Sequence, residues 1–407
     1  MDDRNYRSMI DPDEALQSVL DTAIPRPPRR VSLAEASGHG LAEEIRADRD
    51  YPPFSRAMMD GYAVHCADAG AALEVVGEVP AGTAPVGALS GRGCWEIMTG
   101  AVCPPGTEAV VPYEQTRRDG SRVLMPNRII AGDNIDMPGA DCRAGTVVLK
   151  PGDRLTPMAV AVLASFGIDA VQVVPRPSLA IIVTGTELIP PGQSPAAWQI
   201  RNSNGPMLLA MAGEAGIRSP RCLSAGDRLD AIVESLRQTS DCDVVVLSGG
   251  VSAGKYDLVV PALQQYGAEI IFHKVTQKPA KPLLLARKQA EQISGLPGNP
   301  LASHLGFHRY VVAGMRRMEG KPPVEPGLGK LAAPLHPAGG RTLFWLARAE
   351  RADDSFVDWR LHPLPAASSA DVFSPCQANC YARVPPGNAE VPAGTIVSFT
   401  WIAPATL

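Results

Sequence analysis

An apolar run that breaks into a glycine-rich loop is the feature of this sequence that most constrains its fold. Residues 244–247 (VVVL) have the pattern of a buried strand, and the loop Ser248-Gly249-Gly250 follows directly. Asp257 then stands where a capping residue would begin a helix over 258–266. Such a loop lies at the carboxyl end of a strand, so it predicts a site for phosphate or another oxyanion. Tight packing of the turn without a ligand would give the same pattern.

The remaining sequence divides by its periodicity. Between residues 178 and 317, apolar strand-like runs alternate with helical ones, which predicts a parallel or mixed sheet covered by helices on both faces. Residues 46–145 contain short strand-like pieces between glycine and proline turns and predict an inserted β-rich domain. The tail after residue 320 predicts a small antiparallel barrel or sandwich. A chain of 407 residues is too long for one ordinary core.

Composition argues against several classes of protein. The net charge of −4 disfavours bulk binding to nucleic acid or membranes. No basic-then-apolar leader opens the sequence, and no apolar run approaches the roughly 18 residues of a spanning helix, so we expect a cytoplasmic protein. Eight cysteines without a CxxC pair indicate buried structural thiols. His304 and His308 have the spacing of a metal pair, but no glutamate stands between them as in HExxH, so a structural role is favoured.

Three acidic residues follow three different predicted strands. Glu187 follows the first strand of the alternating region, Asp227 the second and Asp257 the third. The carboxyl ends of parallel strands share one edge of a sheet, so the three carboxylates are expected at one rim. Capping of the following helices would explain Asp227 and Asp257 equally well.

Three lysines follow a later strand. Lys274, Lys278 and Lys281 lie in the segment FHKVTQKPAKP, whose prolines restrict the loop. Lysines beside a glycine-rich loop suit phosphate or a tetrahedral oxyanion, although a solvated basic face is the alternative. Carboxylates with a divalent cation, together with these lysines, predict a nucleotide or phosphate ester as substrate. Neither a Walker motif nor a GxGxxG fingerprint supports an NTP motor or an NAD enzyme.

Several motifs together resemble the molybdopterin molybdenumtransferase family and are similar to the C-terminal domain of gephyrin. The motifs are RAMMDGYAV (56–64), IMTGA (97–101), VTGTEL (183–188), IRNSNGPML (200–208), SGGVSAGKYD (248–257), KPAKP (278–282) and GLPGNP (295–300). They run in the same order over nearly the full length. The SGG and TGTEL loops also occur in the related molybdopterin adenylyltransferase module, so the set as a whole carries the resemblance.

The resemblance implies a multidomain fold of α/β and β domains. Its parts would be a discontinuous α/β domain (1–45 and 146–175), an inserted β-rich domain (46–145), a central α/β/α sheet domain of molybdopterin-binding type (176–320) and a C-terminal β-barrel (321–407). It also implies an elongated homodimer. Each cleft would then be shared between the α/β domain of one chain and the inserted domain of the other.

The implied reaction inserts molybdenum from molybdate into adenylylated molybdopterin, hydrolysing the adenylate and releasing AMP. The residues carried over as catalytic are Asp60, Glu187, Asp227, Asp257, Lys274 and Lys278. Those carried over for substrate or oxyanion binding are Thr99, Asp141, Ser248, Gly249, Gly250, Lys281, Pro297 and Pro300. Mg2+ is expected on Glu187, Asp227 and Asp257, and the expected partners are molybdopterin adenylyltransferase and molybdoenzymes or their chaperones.

Three departures from the family pattern lie near the expected cleft. Ala57-Met58 replaces the usual Ser-Ala, Ala280 replaces the glycine of KPGKP, and residues 137–140 lack the arginines and glutamate often found there. A tungstate-specific transferase and a non-catalytic binding or scaffold protein therefore stay as alternatives. The presence of all the acids and lysines argues against the scaffold, and the single α/β module argues against adenylyl transfer.

Overall fold

The computed structural model describes residues 6–85, 87–251, 258–352, 358–366, 368–371 and 373–402. The chain forms two compact units. The first combines Met1–Arg29 with Val173–Leu407, and the second is Arg30–Gln172. Asp257 lies outside the described residues, so its capping and cation-binding roles stay predictions, as does the division into four domains.

A mixed sheet of seven strands forms the centre of the described part of the first unit. In spatial order the strands are Arg7–Ile10, Glu269–Val275, Leu284–Lys288, Glu291–Leu296, Val244–Ser248, Leu179–Thr184 and Arg221–Ala225. The last four pair in parallel, whereas Leu284–Lys288 runs antiparallel to both of its neighbours. The predicted mixed sheet is therefore confirmed.

Helices cover both faces of this sheet because its strands are apolar on both sides. Val244 and Val246 of the strand Val244–Ser248 point into one core, and Val245 and Leu247 point into the other. Helices on the first face are Pro12–Thr22, Asn204–Glu214, the π-helical Phe307–Val311 and Val312–Met318. The helix Pro300–Gly306 contacts Asn204–Glu214, but its buried residues pack in a separate cluster with Phe344 and Tyr381. Those on the second face are Leu229–Gln238 and Val259–Tyr266.

The start of the chain belongs to this sheet. The strand Arg7–Ile10 pairs in parallel with Glu269–Val275, and Val19 of the following helix packs into the first core. Asp11 caps that helix, because its carboxylate accepts the N–H of Asp13 at 2.8 Å. The order Asp11-Pro12-Asp13-Glu14, a capping residue followed by a first-turn proline and acids, predicts this capped helix, and the structure confirms it.

A closed barrel follows the α/β sheet. Its five described strands are Gly327–Leu331, Thr342–Arg351, Trp359–Pro363, Cys380–Val384 and Ile396–Trp401. The pairing of Thr342–Arg351 with both Trp359–Pro363 and Cys380–Val384 closes the ring. The barrel is confirmed, but it is only partly antiparallel, since Gly327–Leu331 and Trp359–Pro363 pair in parallel.

The second unit is rich in β-structure, as its sequence predicts. Its largest sheet contains, in spatial order, Arg117–Asp119, Arg122–Leu124, Ala72–Val79, Gly93–Ile97, Gly61–Val64 and Ala109–Pro112. Smaller sheets join Arg29–Ser32, Ala170–Val174 and Gly40–Leu41; Ile45–Arg46 and Val147–Leu149; and Arg56–Ala57 and Ile135–Asp136. The α-helices are Leu33–Ala36 and Pro157–Ser165, with 3₁₀ turns at Cys66–Asp68 and Tyr113–Gln115. Within the described ranges of both units, every helix is too short or too polar to span a membrane.

Candidate active site

A cavity of about 880 Å³ opens at the carboxyl ends of the parallel strands in the first unit. Its walls are loops that follow the strands Leu179–Thr184, Arg221–Ala225, Val244–Ser248 and Glu291–Leu296. The lining includes seven residues that the sequence analysis selects: Glu187, Asp227, Ser248, Gly249, Gly250, Pro297 and Pro300. The predicted rim of the sheet is therefore a real cavity, in the place where α/β sheets bind ligands.

Glycine is required in the loop that organises this cavity. Gly249 and Gly250 have φ angles of 103° and 65°, which are left-handed. A Cβ atom at Gly249 would lie 2.6 Å from Oγ1 and 2.7 Å from the carbonyl oxygen of Thr184. The backbone N–H of Gly249 donates to the carbonyl of Leu296 at 3.0 Å, which ties the loop to the neighbouring strand.

Asn204 joins two loops of the cavity, although the sequence analysis does not single it out. Its Nδ2 donates to Ser248 Oγ at 3.0 Å and to the carbonyl of Gly298 at 2.8 Å. Its side chain is buried, and Oδ1 accepts no hydrogen bond from the described residues. A polar residue at the first position of a helix within the IRNSNGPML motif is the signal that could have revealed it.

The acidic residues are held by neighbouring loops. Asp227 Oδ2 accepts hydrogen bonds from the backbone N–H of Thr186 at 3.0 Å and from Thr186 Oγ1 at 3.2 Å. The alternative that Asp227 caps the following helix does not hold, because Arg228 occupies the N-cap and the Asp227 carboxylate bonds to Thr186 instead. Glu187 folds back over Gly185, where a Cβ atom would lie 3.0 Å from both carboxylate oxygens.

Two carboxylates line the cavity, and their chemistry fits a hard divalent cation. The described residues contain no cluster of three or more histidine, cysteine, aspartate or glutamate side chains suited to a metal ion. Mg2+ commonly uses only one or two protein carboxylates and completes its shell with water and substrate phosphate oxygens. Glu187 and Asp227 therefore suit a cation that arrives with a phosphate.

The lysine loop borders a second cavity of about 350 Å³. Lys278 and Lys281 line it together with Arg341, and its walls also contain Phe344 and Tyr381. The two cavities adjoin, since Pro282, Pro297 and Asn299 line both. Lys274 lines neither of these two cavities; it is half-buried, with a φ angle of 76°.

The barrel holds the lysine loop in place. Gln277–Lys278 forms a short strand that pairs in parallel with Thr342 and Leu343. The buried side chain of Gln277 donates from Nε2 to the carbonyl of Ala280 at 3.2 Å and accepts from the Tyr310 hydroxyl at 2.6 Å. Arg341 reaches the cavity through the same contact, and no local pattern in the sequence marks it.

Ala280 replaces the usual family glycine at a left-handed position. Its φ angle is 64°, and its side chain is 3% exposed. The methyl group packs in a cluster with Leu301, Ala302 and Phe344, among others. The backbone there suits glycine, while the surrounding packing suits alanine.

Asn299 and Pro300 start the helix that borders both cavities. The order Asn299-Pro300 predicts an N-cap followed by a proline at the first helical position, and the helix starts there. The Asn299 side chain does not cap the helix, because its Nδ2 donates to Ser369 Oγ at 2.7 Å.

Asp60, Thr99 and Asp141 lie in the second unit. Asp60 Oδ1 accepts from the backbone N–H of Thr99 at 2.6 Å and from Thr99 Oγ1 at 2.7 Å, and these bonds lower the pKa of the exposed Asp60 carboxyl. Asp141 lies 3.6 Å from a guanidinium nitrogen of Arg56. Gly61, which follows Asp60, is fixed by packing, because a Cβ atom there would lie 2.1 Å from the carbonyl oxygen of Val111.

Models of known protein families match the chain in three consecutive segments. The MoeA N-terminal region (domain I and II) matches residues 10–167, a "Probable molybdopterin binding domain" matches 180–317, and the MoeA C-terminal region (domain IV) matches 329–401.

Curated relatives and solved structures extend over almost the whole chain. The molybdopterin molybdenumtransferase of Staphylococcus aureus (strain Mu50 / ATCC 700699) is 31% identical over 403 residues, covering 97% of this chain and 96% of that protein. Its counterpart from Staphylococcus epidermidis (strain ATCC 12228) is 30% identical over 403 residues, covering 96% and 95%. The molybdopterin biosynthesis MoeA protein from Pyrococcus horikoshii OT3 has a TM-score of 0.78 at 27% identity, covering 97% of this chain and 100% of that one. The chain therefore belongs to the molybdopterin molybdenumtransferase family and is a transferase of molybdenum cofactor biosynthesis.

Proposed function

We propose that this chain inserts molybdenum from molybdate into adenylylated molybdopterin, with hydrolysis of the adenylate and release of AMP. The observation that carries the proposal is the pair of adjoining cavities, one lined by carboxylates and a glycine-rich loop and the other by Lys278, Lys281 and Arg341. Such a pair would hold a phosphate and a second oxyanion side by side. Holding two reactants next to each other is itself a large part of catalysis.

The larger cavity would bind the adenylate end of the substrate. The N–H of Gly249 is bonded to the carbonyl of Leu296, so the backbone N–H of Gly250 is the group of the loop Ser248-Gly249-Gly250 proposed for phosphate oxygens. Glu187 and Asp227 would hold Mg2+ there, and Asp257 is proposed as a further ligand. When bound, Mg2+ would polarise the phosphate; the Asp227 bond to Thr186 fixes the carboxylate before substrate arrives.

The smaller cavity would bind molybdate. Two lysines and an arginine offer up to three positive charges to a tetrahedral dianion, and Arg341 adds a rigid planar donor group to the flexible ammonium groups. Pro297 lines both this cavity and the proposed phosphate site, whereas Pro300 lines only the latter. Lys274 lies in the strand Glu269–Val275 rather than in the loop after it, and it is proposed to neutralise charge from outside this cavity. Molybdate stays a substrate throughout.

We also propose a homodimer in which Asp60, Thr99 and Asp141 of each chain complete the cleft of the other. An unpartnered helix supports this proposal. Pro157–Ser165 is apolar nearly all round, yet it buries only Ala159 and Leu163 and leaves Met158 74% exposed. Helices with this composition are normally buried, so a second copy of the chain is a fitting cover.

Co-expression of two variants tests the shared cleft. Asp60→Ala and Lys278→Ala homodimers should each be weak, whereas random mixing should restore one intact cleft in each mixed dimer, about a quarter of wild-type activity. Mixed dimers that form but stay as weak as either parent would contradict a cleft built from two chains.

AMP release tests the reaction itself. Purified protein, molybdopterin adenylate and Mg2+ should release AMP when molybdate is added, and a parallel reaction with tungstate would identify the preferred oxyanion. Molybdopterin adenylyltransferase is the proposed source of the substrate, and molybdoenzymes or their chaperones are the proposed acceptors of the product. Tight binding of the adenylate without oxyanion-dependent release would refute the transferase and favour the scaffold.

A further inference from the structure

A highly exposed aromatic ring lies at the larger cavity. Phe373 is 83% exposed, the highest value among the large apolar side chains of the described residues. It lies in the segment between the barrel strands Trp359–Pro363 and Cys380–Val384. Of the residues described, it is also the one aromatic side chain that lines this cavity.

The segment that carries Phe373 is anchored to the wall of the cavity. The backbone carbonyl of Ser369 accepts the N–H of Leu301 at 3.1 Å, and Ser369 Oγ accepts from Asn299 Nδ2 at 2.7 Å. The N–H of Phe373 donates to Asp371 Oδ1 at 2.9 Å. These bonds hold the segment that carries Phe373 against the turn at which the helix Pro300–Gly306 begins.

The side chains that line the cavity divide by polarity into a polar part and an apolar part. Its polar lining contains Glu187, Asp227 and the glycine-rich loop, whereas Ile200, 58% exposed, and Leu188 add apolar surface to that of Phe373. A ligand with an anionic group and a flat ring would match both parts. An exposed aromatic ring gains most from a flat partner that covers its face.

We propose that Phe373 is a positioning residue that stacks on a fused heterocycle of the substrate. The inference rests on the proposed function, in which the substrate carries two such rings, the adenine and the pterin. Stacking of a base on an aromatic side chain changes binding by about 5- to 100-fold on removal of the ring. The phosphate would then be held by the polar lining, and the ring would fix the orientation of the substrate.

Calorimetric binding of AMP and of molybdopterin, each measured separately, tests the inference. Phe373→Ala should weaken the binding of one of the two ligands by about 5- to 100-fold. The affinity of Phe373→Leu for that ligand should lie between those of the wild type and Phe373→Ala. The ligand that is affected identifies the ring that stacks on Phe373. Trp198→Ala is the matched control, because Trp198 is also exposed, at 67%, and does not line this cavity. The thermal midpoint should stay at the wild-type value in all three variants, since an exposed ring contributes little packing.

A spectroscopic variant gives an independent readout. The indole fluorescence that Phe373→Trp adds to the wild-type spectrum should change when the stacked ligand binds. Wild-type affinity of Phe373→Ala for both ligands, with the wild-type protein binding them, would overturn the inference and leave the proposed function standing. If the wild-type protein binds neither AMP nor molybdopterin, the proposed function is overturned, and the inference with it.

Discussion

Replacement of Ala280 by glycine would measure the strain stored in the lysine loop. Ala280 has a φ angle of 64° and lies between Lys278 and Lys281, the two lysines of the smaller cavity. Its methyl group is 3% exposed in a cluster with Leu301 and Phe344. Glycine would remove the backbone strain at this left-handed position, but it would also remove the buried methyl group. These effects oppose each other and together decide the sign of the change in the free energy of unfolding.

The one favourable and two unfavourable contributions to the stability nearly cancel. A left-handed backbone costs a residue that has a Cβ atom about 1–2 kcal/mol, and glycine removes this cost. Loss of the buried methyl group costs about 0.8 kcal/mol, and the greater freedom of the unfolded glycine chain costs about 0.4–1 kcal/mol. We therefore expect Ala280→Gly to change the free energy of unfolding by less than about 0.5 kcal/mol.

Ala302→Gly is the matched control. Ala302 is also 3% exposed and packs in the same cluster, but it lies in the helix Pro300–Gly306. There glycine loses the methyl group and adds a helix penalty, a total of about 1.5 kcal/mol. Urea unfolding at constant m-value would compare the two. Equal destabilisation by both substitutions would refute the reasoning, because it would leave no strain at Ala280 to relieve.

Three further substitutions test the packing and the electrostatics of the first unit. Gly249→Ala should abolish AMP release, because its Cβ atom would meet Thr184 Oγ1 at 2.6 Å; unchanged turnover would contradict the steric argument. Burial raises the pKa of Glu291 from 4.5 to about 7, so the folded state retains a proton that the unfolded state loses, and stability should fall as pH rises from about 5 to about 7. In Glu291→Gln, the thermal midpoint should fall less as the pH rises. The same pH dependence in the variant and the wild type would contradict this prediction. Burial, with His308 nearby, lowers the pKa of His304 from 6.5 to about 4, so its contribution is complete above 6.5 and is lost as pH falls toward 4. His304→Gln should reduce this acid sensitivity in urea unfolding, and an identical acid profile would exclude His304 as its source.

Local patterns predict the parts of the fold that local physics determines. The run 244–247 is continuous because both faces of a parallel strand are buried, and Asp11 caps a helix through the next turn of the chain. The strand Arg7–Ile10 is too short to show a period, and its partner Glu269–Val275 lies more than 250 residues away. Pairing over such a distance leaves no mark in a local window.

The candidate site likewise contains residues that local patterns predict and residues that only long-range packing brings there. Glu187 and the glycine-rich loop follow apolar strands, so the sheet itself brings them together, and the sequence predicts their shared edge. The sequence leaves helix capping open for Asp227, but its carboxylate bonds to Thr186 on the neighbouring loop instead. Arg341 and Phe373 reach the cavities only through the way the barrel packs on the α/β sheet, which no periodicity encodes.

The short strand Gln277–Lys278 connects the lysine loop to two different sheets. The residues before it, Glu269–Val275, belong to the α/β sheet, while the strand itself extends the sheet of the barrel. An α/β domain excised at residue 320 would keep the carboxylates and the glycine-rich loop of the larger cavity but lose Phe373 from it, and it would lose Arg341, Phe344 and Tyr381 from the smaller cavity. The barrel therefore contributes walls to both cavities, and on the proposed assignment a protein that lost it would keep the carboxylates proposed for the phosphate but lose Arg341 from the cations proposed for the oxyanion.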